Sequence, residues 1–151
     1  MAKVREGGFL IWSSRYEVDI GAHVFPTRKY RLVREMLLGR KVVSQKDFVE
    51  PEHLSWEALG RVHDEDYLRR IRDGDFSPMD EMRLGLPFST DLREASLLCC
   101  GGTTQAALMA LDDGVGIHLG GGFHHAFRDH GEGFCLLNDV AVAVRTLLDR
   151  G

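Results

Sequence analysis

Residues 120–126 read Gly-Gly-Gly-Phe-His-His-Ala, and they directly follow a stretch in which Val115, Ile117 and Leu119 alternate with other residues. This alternation predicts a β-strand. Three glycines allow the backbone to leave that strand abruptly, through conformations closed to other residues. In sheets of parallel strands, ligands bind beyond the carboxyl ends of the strands. The sequence therefore predicts that His124 and His125 lie at the rim of such a sheet.

The two adjacent histidines are suited to proton transfer. Imidazole is the side chain whose unperturbed pKa lies near neutrality, and hydrolysis of an amide needs a base for the nucleophile and an acid for the leaving group. The alternative interpretation is a glycine-rich turn at a helix start that binds an anion. A second motif, Gly-Phe-Cys-Leu-Leu-Asn-Asp at residues 133–139, favours the catalytic interpretation.

The rest of the chain predicts an α/β protein with a parallel sheet. Further strands are expected at residues 9–12 and, more weakly, at 42–43, with extended chain at 48–51. Helices are expected up to Leu38 after a Thr27 cap, at 56–60 after Ser55, at 65–72 after Asp64, at 91–111, and at 140–149 after Asn138. Residues 73–87 are interpreted as an exposed loop, either at the rim of a substrate site or as a plain connector.

Two helices carry patterns that predict how they pack. The helix at 91–111 has one buried stripe and contains Gly101-Gly102, which indicates close packing against the sheet because interior glycines otherwise destabilise a helix. The last helix is expected to turn four residues inward. These sets are, in order, Leu92, Ala95, Cys99, Gly102, Ala106 and Met109, and Val140, Ala143, Val144 and Leu147.

Composition restricts the class of protein. The chain has 151 residues, 44% of them hydrophobic and 28% charged, as in an ordinary globular domain. A net charge of −4 disfavours direct nucleic-acid binding, and no apolar run is long enough to span a membrane. Three cysteines without paired spacing and the absence of a secretory signal predict a cytoplasmic protein.

The two motifs together resemble the histone deacetylase family, which includes bacterial acetoin-utilisation proteins and acetylpolyamine amidohydrolases. The Gly-Gly-Gly-Phe form is most similar to class IV members and their bacterial relatives. Residues 23–28, 61–68 and 96–107 are also similar, more weakly. The resemblance implies a three-layer αβα arginase/deacetylase fold with a mostly parallel sheet. Residues 1–151 are then expected to form the N-terminal part of a single domain, ending before the strand that carries the metal ligands.

The resemblance also implies roles for individual residues. His125 would be the general base toward water and the general acid toward the leaving amine, and His124 would give electrostatic support. Gly133 and Phe134 would line a substrate tunnel, or else form an ordinary turn, and Cys135 would pack beside it. Arg28 would line an internal product channel, or else be a buried structural guanidinium.

The other histidines and cysteines are interpreted as structural. His23, His53, His63 and His118 are expected in the core or on the surface, and the spacing of His130 from the pair at 124–125 matches no metal site. Cys99 and Cys100 are expected to be ordinary thiols rather than a redox pair.

The implied cofactor of the complete domain is zinc, with iron as the alternative, held by two aspartates and a histidine that include an Asp-x-His. No Asp-x-His occurs in this chain, so no metal ligand is assigned and this chain alone is not expected to hold the ion. The predicted function is metal-dependent hydrolysis of an acyl-lysine or an acylated amine. The alternative is a catalytically inactive truncated relative that acts as a binding or assembly module. In either case a second copy or a companion chain would cover the exposed edge of the sheet.

Overall fold

A small parallel sheet organises the protein. The structure is a computed structural model that describes residues 8–150. Strand β1 (Leu10–Ile11) lies between β2 (Phe48–Val49) and β3 (Ile117–His118), and both pairings are parallel. Leu10 is in register with Phe48 on one side and with Ile117 on the other. The α/β class with a parallel sheet is therefore confirmed.

Six α-helices surround this sheet within the described residues. Two short 3-10 helices, Ser14–Tyr16 and Gln45–Asp47, follow β1 and precede β2. The α-helices are α1 (Lys29–Gly39), α2 (Trp56–Gly60), α3 (Glu65–Asp73), α4 (Pro78–Leu84), α5 (Thr90–Asp113) and α6 (Asp139–Leu148).

Helix α5 is the central support of the sheet, and it packs on β1, β3 and α6. Its glycine pair allows a very close approach on both sides. A Cβ on Gly102 would lie 2.5 Å from Nε2 of His118 in β3, and one on Gly101 would lie 1.7 Å from the backbone oxygen of Glu52. The predicted close packing is confirmed, and the expected inward stripe of α5 is buried.

Some predicted helix caps are present and others are not. The side chains of Ser55 and Asn138 accept the N–H groups of the third residues of α2 and α6, as expected. Thr27 instead donates its hydroxyl to the carbonyl of Val18 at 2.6 Å, and Asp64 pairs with Arg128. The Thr27 cap prediction is wrong, since Arg28 precedes α1, whereas Asp64 occupies the predicted N-cap position of α3 without a side-chain capping hydrogen bond.

The loop predicted at residues 73–87 contains helix α4, which is a correction. Ser77 accepts the N–H of Asp80, and the Asp80 carboxylate accepts the N–H of Ser77, which forms a reciprocal capping box. Pro78 occupies the first turn, where a missing N–H is tolerated. Ser-Pro-Met-Asp was the available signal, and two prolines and two glycines in the segment obscured it.

Two smaller predictions also fail. Val42 and Val43 follow the end of α1 in a turn rather than a strand, and the second strand is formed by the extended residues Phe48–Val49. In α6 the expected inward residue Ala143 is buried and Leu147 is half-buried, but Val140 and Val144 are exposed, and Val142, which was not predicted to face inward, is fully buried.

The main hydrophobic core lies among α2, α3, α5 and α6, and it includes Leu136 and Leu137 of the second motif. Both leucines are almost fully buried. The segment that carries the predicted tunnel residues is therefore anchored in the core, immediately before α6. Over residues 8–150, no helix combines the length and apolar character needed to cross a membrane.

Candidate active site

The glycine run turns the chain sharply beyond the carboxyl end of β3. Gly120 is buried, and a Cβ there would lie 2.3 Å from the ring of Tyr16. Gly122 has a φ of 100°, in the region that favours glycine. The first glycine is therefore needed for close packing and the third for its backbone conformation.

This turn delivers His124 and His125 to an open cavity of about 550 Å³. Both residues are exposed, and their ring centroids lie 4.3 Å apart. Nδ1 of His124 lies 2.9 Å from the carbonyl oxygen of Gly122. Because a carbonyl can only accept, Nδ1 carries the proton and Nε2 of the neutral ring is left as an acceptor.

Three segments line this cavity. The glycine run and the histidine pair form one wall, the chain around the start of α1 forms a second, and the Gly133 segment forms the third. Apart from the histidine pair, the lining residues are Phe25, Lys29, Tyr30, Val33, residues 118–123, Gly133, Phe134 and Cys135. The structure therefore brings all five predicted residues of the two motifs to one cavity.

Phe134 forms an aromatic wall and has an unusual backbone. Its φ of 67° lies in the left-handed region, which is rare for a bulky residue and recurs at functional sites. Its ring is perpendicular to that of His23, with centroids 4.7 Å apart, and lies 6.0 Å from that of Phe25. The N–H of Phe134 donates to the carbonyl of Leu84, which ties the wall to the end of α4.

Gly133 and Cys135 flank this wall on either side. Gly133 has a φ of 56°, and a Cβ there would lie 3.0 Å from Cβ of His125. Cys135 is buried, with Sγ 3.4 Å from the Gly133 carbonyl oxygen. Burial raises the pKa of the Cys135 thiol, which disfavours the nucleophilic thiolate. The contacts of Cys135 are those of a packing residue.

Hydrogen bonds from His63 and Asn138 hold the loop that carries the histidine pair in place. Nδ1 of the buried His63 lies 2.9 Å from the carbonyl oxygen of Phe127, and its Nε2 accepts the N–H of Asn138. The Asn138 amide donates to the carbonyls of His124 and Ala126. The sequence indicated only a helix cap at Asn138, since these partners are far away in the chain.

Asp139 is a second residue whose role the sequence did not reveal. It is fully buried below the glycine turn, where its carboxylate accepts the N–H groups of Gly122 and Phe123 and the hydroxyl of Thr103. At the start of a helix, an aspartate indicates by itself only a cap. The available signal was an aspartate in an apolar stretch, next to the capping residue.

Arg28 lies apart from the cavity that holds the histidine pair. It is exposed at the start of α1 and lines a separate cavity of about 280 Å³, which shares Phe25 with the first. The neighbouring Lys29 lines the histidine cavity instead, with Nζ 3.6 Å from the centroid of the Phe25 ring. The role expected for Arg28 in a product channel stays a prediction.

The donor atoms at the cavity do not by themselves suit zinc. Within residues 8–150, no group of three or more histidine, cysteine, aspartate or glutamate residues is arranged to hold a metal ion. Zinc sites in proteins use three or four such ligands. No metal ligand is assigned among the described residues, so the ligands would have to come from outside them.

Together, the fold and the cavity define an α/β protein with its candidate site at the carboxyl end of a parallel strand. The family model for the histone deacetylase domain matches residues 23–151, which is most of the chain. The chain belongs to the histone deacetylase domain family, and the resemblance carried by the two motifs is confirmed.

Individual relatives agree with this assignment. The chain is 38% identical over 129 residues to an uncharacterized protein of Picosynechococcus sp., and 33% identical over 134 residues to the acetoin utilization protein AcuC of Bacillus subtilis. It is 30% identical over 145 residues to histone deacetylase 2 of Arabidopsis thaliana. These matches cover 85%, 82% and 89% of this chain but only 43%, 34% and 38% of the relatives.

Proposed function

We propose that this chain supplies the proton-transfer and substrate-lining part of a metal-dependent amide hydrolase that removes an acyl group from an acyl-lysine or an acylated amine. The proposal is carried by one observation: two exposed imidazoles lie side by side in a cavity with an aromatic wall. Membership of the histone deacetylase domain family supports the reaction class.

His125 is the proposed acid–base residue. Its ring is exposed in the cavity, next to Gly133 and the aromatic wall. It would take a proton from the attacking water and then donate one to the nitrogen of the leaving amine. His124 would stabilise the negative charge that develops on the carbonyl oxygen.

The aromatic residues are suited to the stem of the substrate. Phe25 and Phe134 face the same cavity, with ring centroids 6.0 Å apart, and Phe123 lies 6.1 Å from Phe25. A lysine side chain has a long apolar stem that packs well on aromatic rings. In this proposal the rings hold the stem while the acyl group points toward the histidine pair.

Zinc is the expected metal, with iron as the alternative. A bound metal lowers the pKa of its water and polarises a carbonyl. The described residues supply too few ligands to hold the ion alone. We therefore assign to this chain the proton transfers and the cavity walls, and we derive no step through the metal.

Hydrolysis of acetylated lysine peptides and acetylated amines, by this chain combined with the segment or companion chain that supplies the metal ligands and with zinc or iron(II) added, tests this proposal. We expect metal-dependent hydrolysis that falls by about 100-fold or more in His125→Ala. His130→Ala is the matched control, because His130 lies in the same loop but stacks on Phe127 outside the cavity. Activity that survives in His125→Ala, or no hydrolysis with either metal, would overturn the assignment.

The second candidate function is an assembly module that pairs with another copy of this chain. Strand β3 lies at an edge of the sheet, where unpaired backbone groups favour association. Large apolar side chains are exposed on β3 and α6, including Ile117, Val144 and Leu148. If this function is correct, light scattering shows a dimer. The variant Val144→Lys should dissociate that dimer, whereas Val24→Lys, at an exposed site elsewhere, should not. A monomer at all concentrations excludes it.

A further inference from the structure

Below the histidine loop, the carboxylate of Asp139 accepts hydrogen bonds from three donors. Oδ1 accepts the N–H of Phe123 at 2.7 Å, and Oδ2 accepts the N–H of Gly122 at 2.9 Å and the hydroxyl of Thr103 at 2.5 Å. Asp139 is also the first residue of α6, where the helix dipole favours negative charge. A buried carboxylate is stable only with such partners.

From Asp139 the hydrogen bonds continue through Thr103 and His118 to Tyr16. Thr103 has a single hydroxyl proton, which it gives to Asp139, so its oxygen accepts from Nδ1–H of His118 at 2.9 Å. Nε2 of His118 then accepts the hydroxyl proton of Tyr16 at 2.6 Å. Burial lowers the pKa of His118 to about 4 and raises that of Tyr16, so both groups are neutral at pH 7.

The glycine turn lies directly on this chain of polar groups. A Cβ on Gly121 would lie 2.3 Å from Oγ1 of Thr103, 2.6 Å from Nδ1 of His118 and 2.8 Å from Oδ2 of Asp139. No side chain fits there without a shift. The absence of a side chain at this position lets the two N–H groups that follow reach the carboxylate.

One peptide group connects the carboxylate to the imidazole of His124. The peptide between Gly122 and Phe123 donates its N–H to Asp139, and its carbonyl oxygen lies 2.9 Å from Nδ1 of His124. A hydrogen bond on the N–H side of a peptide polarises it and makes its carbonyl a better acceptor. The carboxylate, the peptide and the imidazole are therefore connected in series.

From this geometry, and resting on the function proposed above, we propose that Asp139 is the positioning residue of the histidine pair. Acting through the Gly122–Phe123 peptide, it fixes the loop and keeps the His124 ring in the form with a proton on Nδ1. Thr103, His118 and Tyr16 hold the carboxylate in place from below. Asp139 itself lies outside the lining of the cavity and takes no part in the reaction.

Nuclear magnetic resonance on the metal-free 151-residue chain tests this role without measuring activity. In the unmodified chain we expect His124 to be mainly the Nδ1–H form at pH 8, by its ¹⁵N shifts. Asp139→Asn keeps the shape but turns one acceptor atom into a donor. We expect it to reduce that form and to speed hydrogen exchange at the amides of Gly122 and Phe123 by about tenfold or more. The buried amide of Ile71 in α3 should be unchanged, which separates a local effect from general destabilisation.

Three further variants complete the experiment. Thr103→Val removes one hydrogen bond from Asp139 and should shift the same signals in the same direction by less, whereas Thr103→Ser should retain the original signals. Asp112→Asn, at an exposed aspartate of α5, is the matched control. If Asp139→Asn does not fold, the signals of Thr103→Val and Thr103→Ser alone test the positioning role.

Two results would overturn the positioning role. One is a His124 ring that is mainly Nε2–H in the unmodified chain. The other is a set of signals at Gly122, Phe123 and His124 that neither Asp139→Asn nor Thr103→Val changes. Because no metal or substrate is present, the outcome is independent of whether the chain hydrolyses amides.

Discussion

The histidines of this protein fall into two regions with opposite environments. His124 and His125 are exposed at a cavity, and Nε2 of His124 remains available as an acceptor. His63 is buried and His118 is half-buried at the border of the same cavity, and each has a partner at both ring nitrogens. Burial lowers the pKa of both of these histidines. The comparison shows that an imidazole is available for proton transfer only where the fold leaves a ring nitrogen unsatisfied.

The two regions also differ in what they contribute. The region of His63 and His118 holds buried polar groups whose loss leaves donors unpaired, so its residues should matter for stability. The region of His124 and His125 consists of exposed side chains on a loop, which should matter little for stability. Four predictions on the free energy of unfolding test that division, from the largest expected effect to the smallest.

The largest effect is expected for Asp139→Ala. It leaves two buried N–H groups and the Thr103 hydroxyl without their acceptor, and we expect a loss of about 3 kcal/mol or more. Urea unfolding followed by circular dichroism measures it. Asp112→Ala, at an exposed aspartate, should change stability by less than about 0.5 kcal/mol. Equal losses in the two variants would contradict the division.

The next largest effect is expected in the pH dependence of the free energy of unfolding. Because burial holds the pKa of His118 at about 4, below the unfolded value of about 6.5, the unfolded chain binds more protons between these values. Stability should therefore fall as the pH drops through this range, by up to about 3 kcal/mol. The lowered pKa of His63 acts in the same direction.

Unfolding measured between pH 7 and pH 4.5 tests this pH dependence. This range lies above the usual pKa values of aspartate and glutamate, so the histidines dominate. His118→Asn removes one titrating group and should flatten the profile. A profile that is unchanged in this variant would show that His118 titrates normally.

A smaller effect is expected for Gly133→Ala. Gly133 has a φ of 56° and lies against His125, so a methyl group introduces both backbone strain and a close contact. We expect a loss of about 1–2 kcal/mol. Gly39→Ala is the control, because Gly39 is the last residue of α1, has open space around it, and should become slightly more stable. A neutral Gly133→Ala would mean that the loop can shift away from His125.

The smallest effect is expected for His125→Ala. Its side chain is exposed, so the free energy of unfolding should change by less than about 0.5 kcal/mol. His63→Ala, by contrast, removes a buried ring with two hydrogen bonds and should lose about 2–3 kcal/mol. Thermal or urea unfolding of the two variants side by side makes the comparison. A large loss in His125→Ala would show that the exposed ring is structural.

Local sequence signals predicted the parts of the fold that depend on neighbouring residues. The long stripe of α5, the caps at Ser55 and Asn138, and the strand before the glycine run were all correct. Short elements were less predictable, because a two-residue strand such as Phe48–Val49 is defined by its pairing partner and carries almost no periodicity.

The sequence predicted several residues of the candidate site, but it did not predict how they are arranged in space. The two motifs indicated His124, His125 and residues 133–135, and the structure brings them to one cavity. The contributions of Phe25 and Lys29 to that cavity were not predicted, since they come from a segment about a hundred residues earlier. The same applies to Thr103, which reaches Asp139 from α5.

The sequence by itself determined the α/β class, the position of the histidine pair at the end of a strand, and the family that the two motifs indicate. These follow from residue types at short spacings along one segment. Only the tertiary structure decided which histidines are exposed, which are buried and neutral, and that Asp139 lies under the turn. Burial and hydrogen-bond partners come from segments far apart in the chain, and they determine whether an imidazole or a carboxylate acts in chemistry or in support.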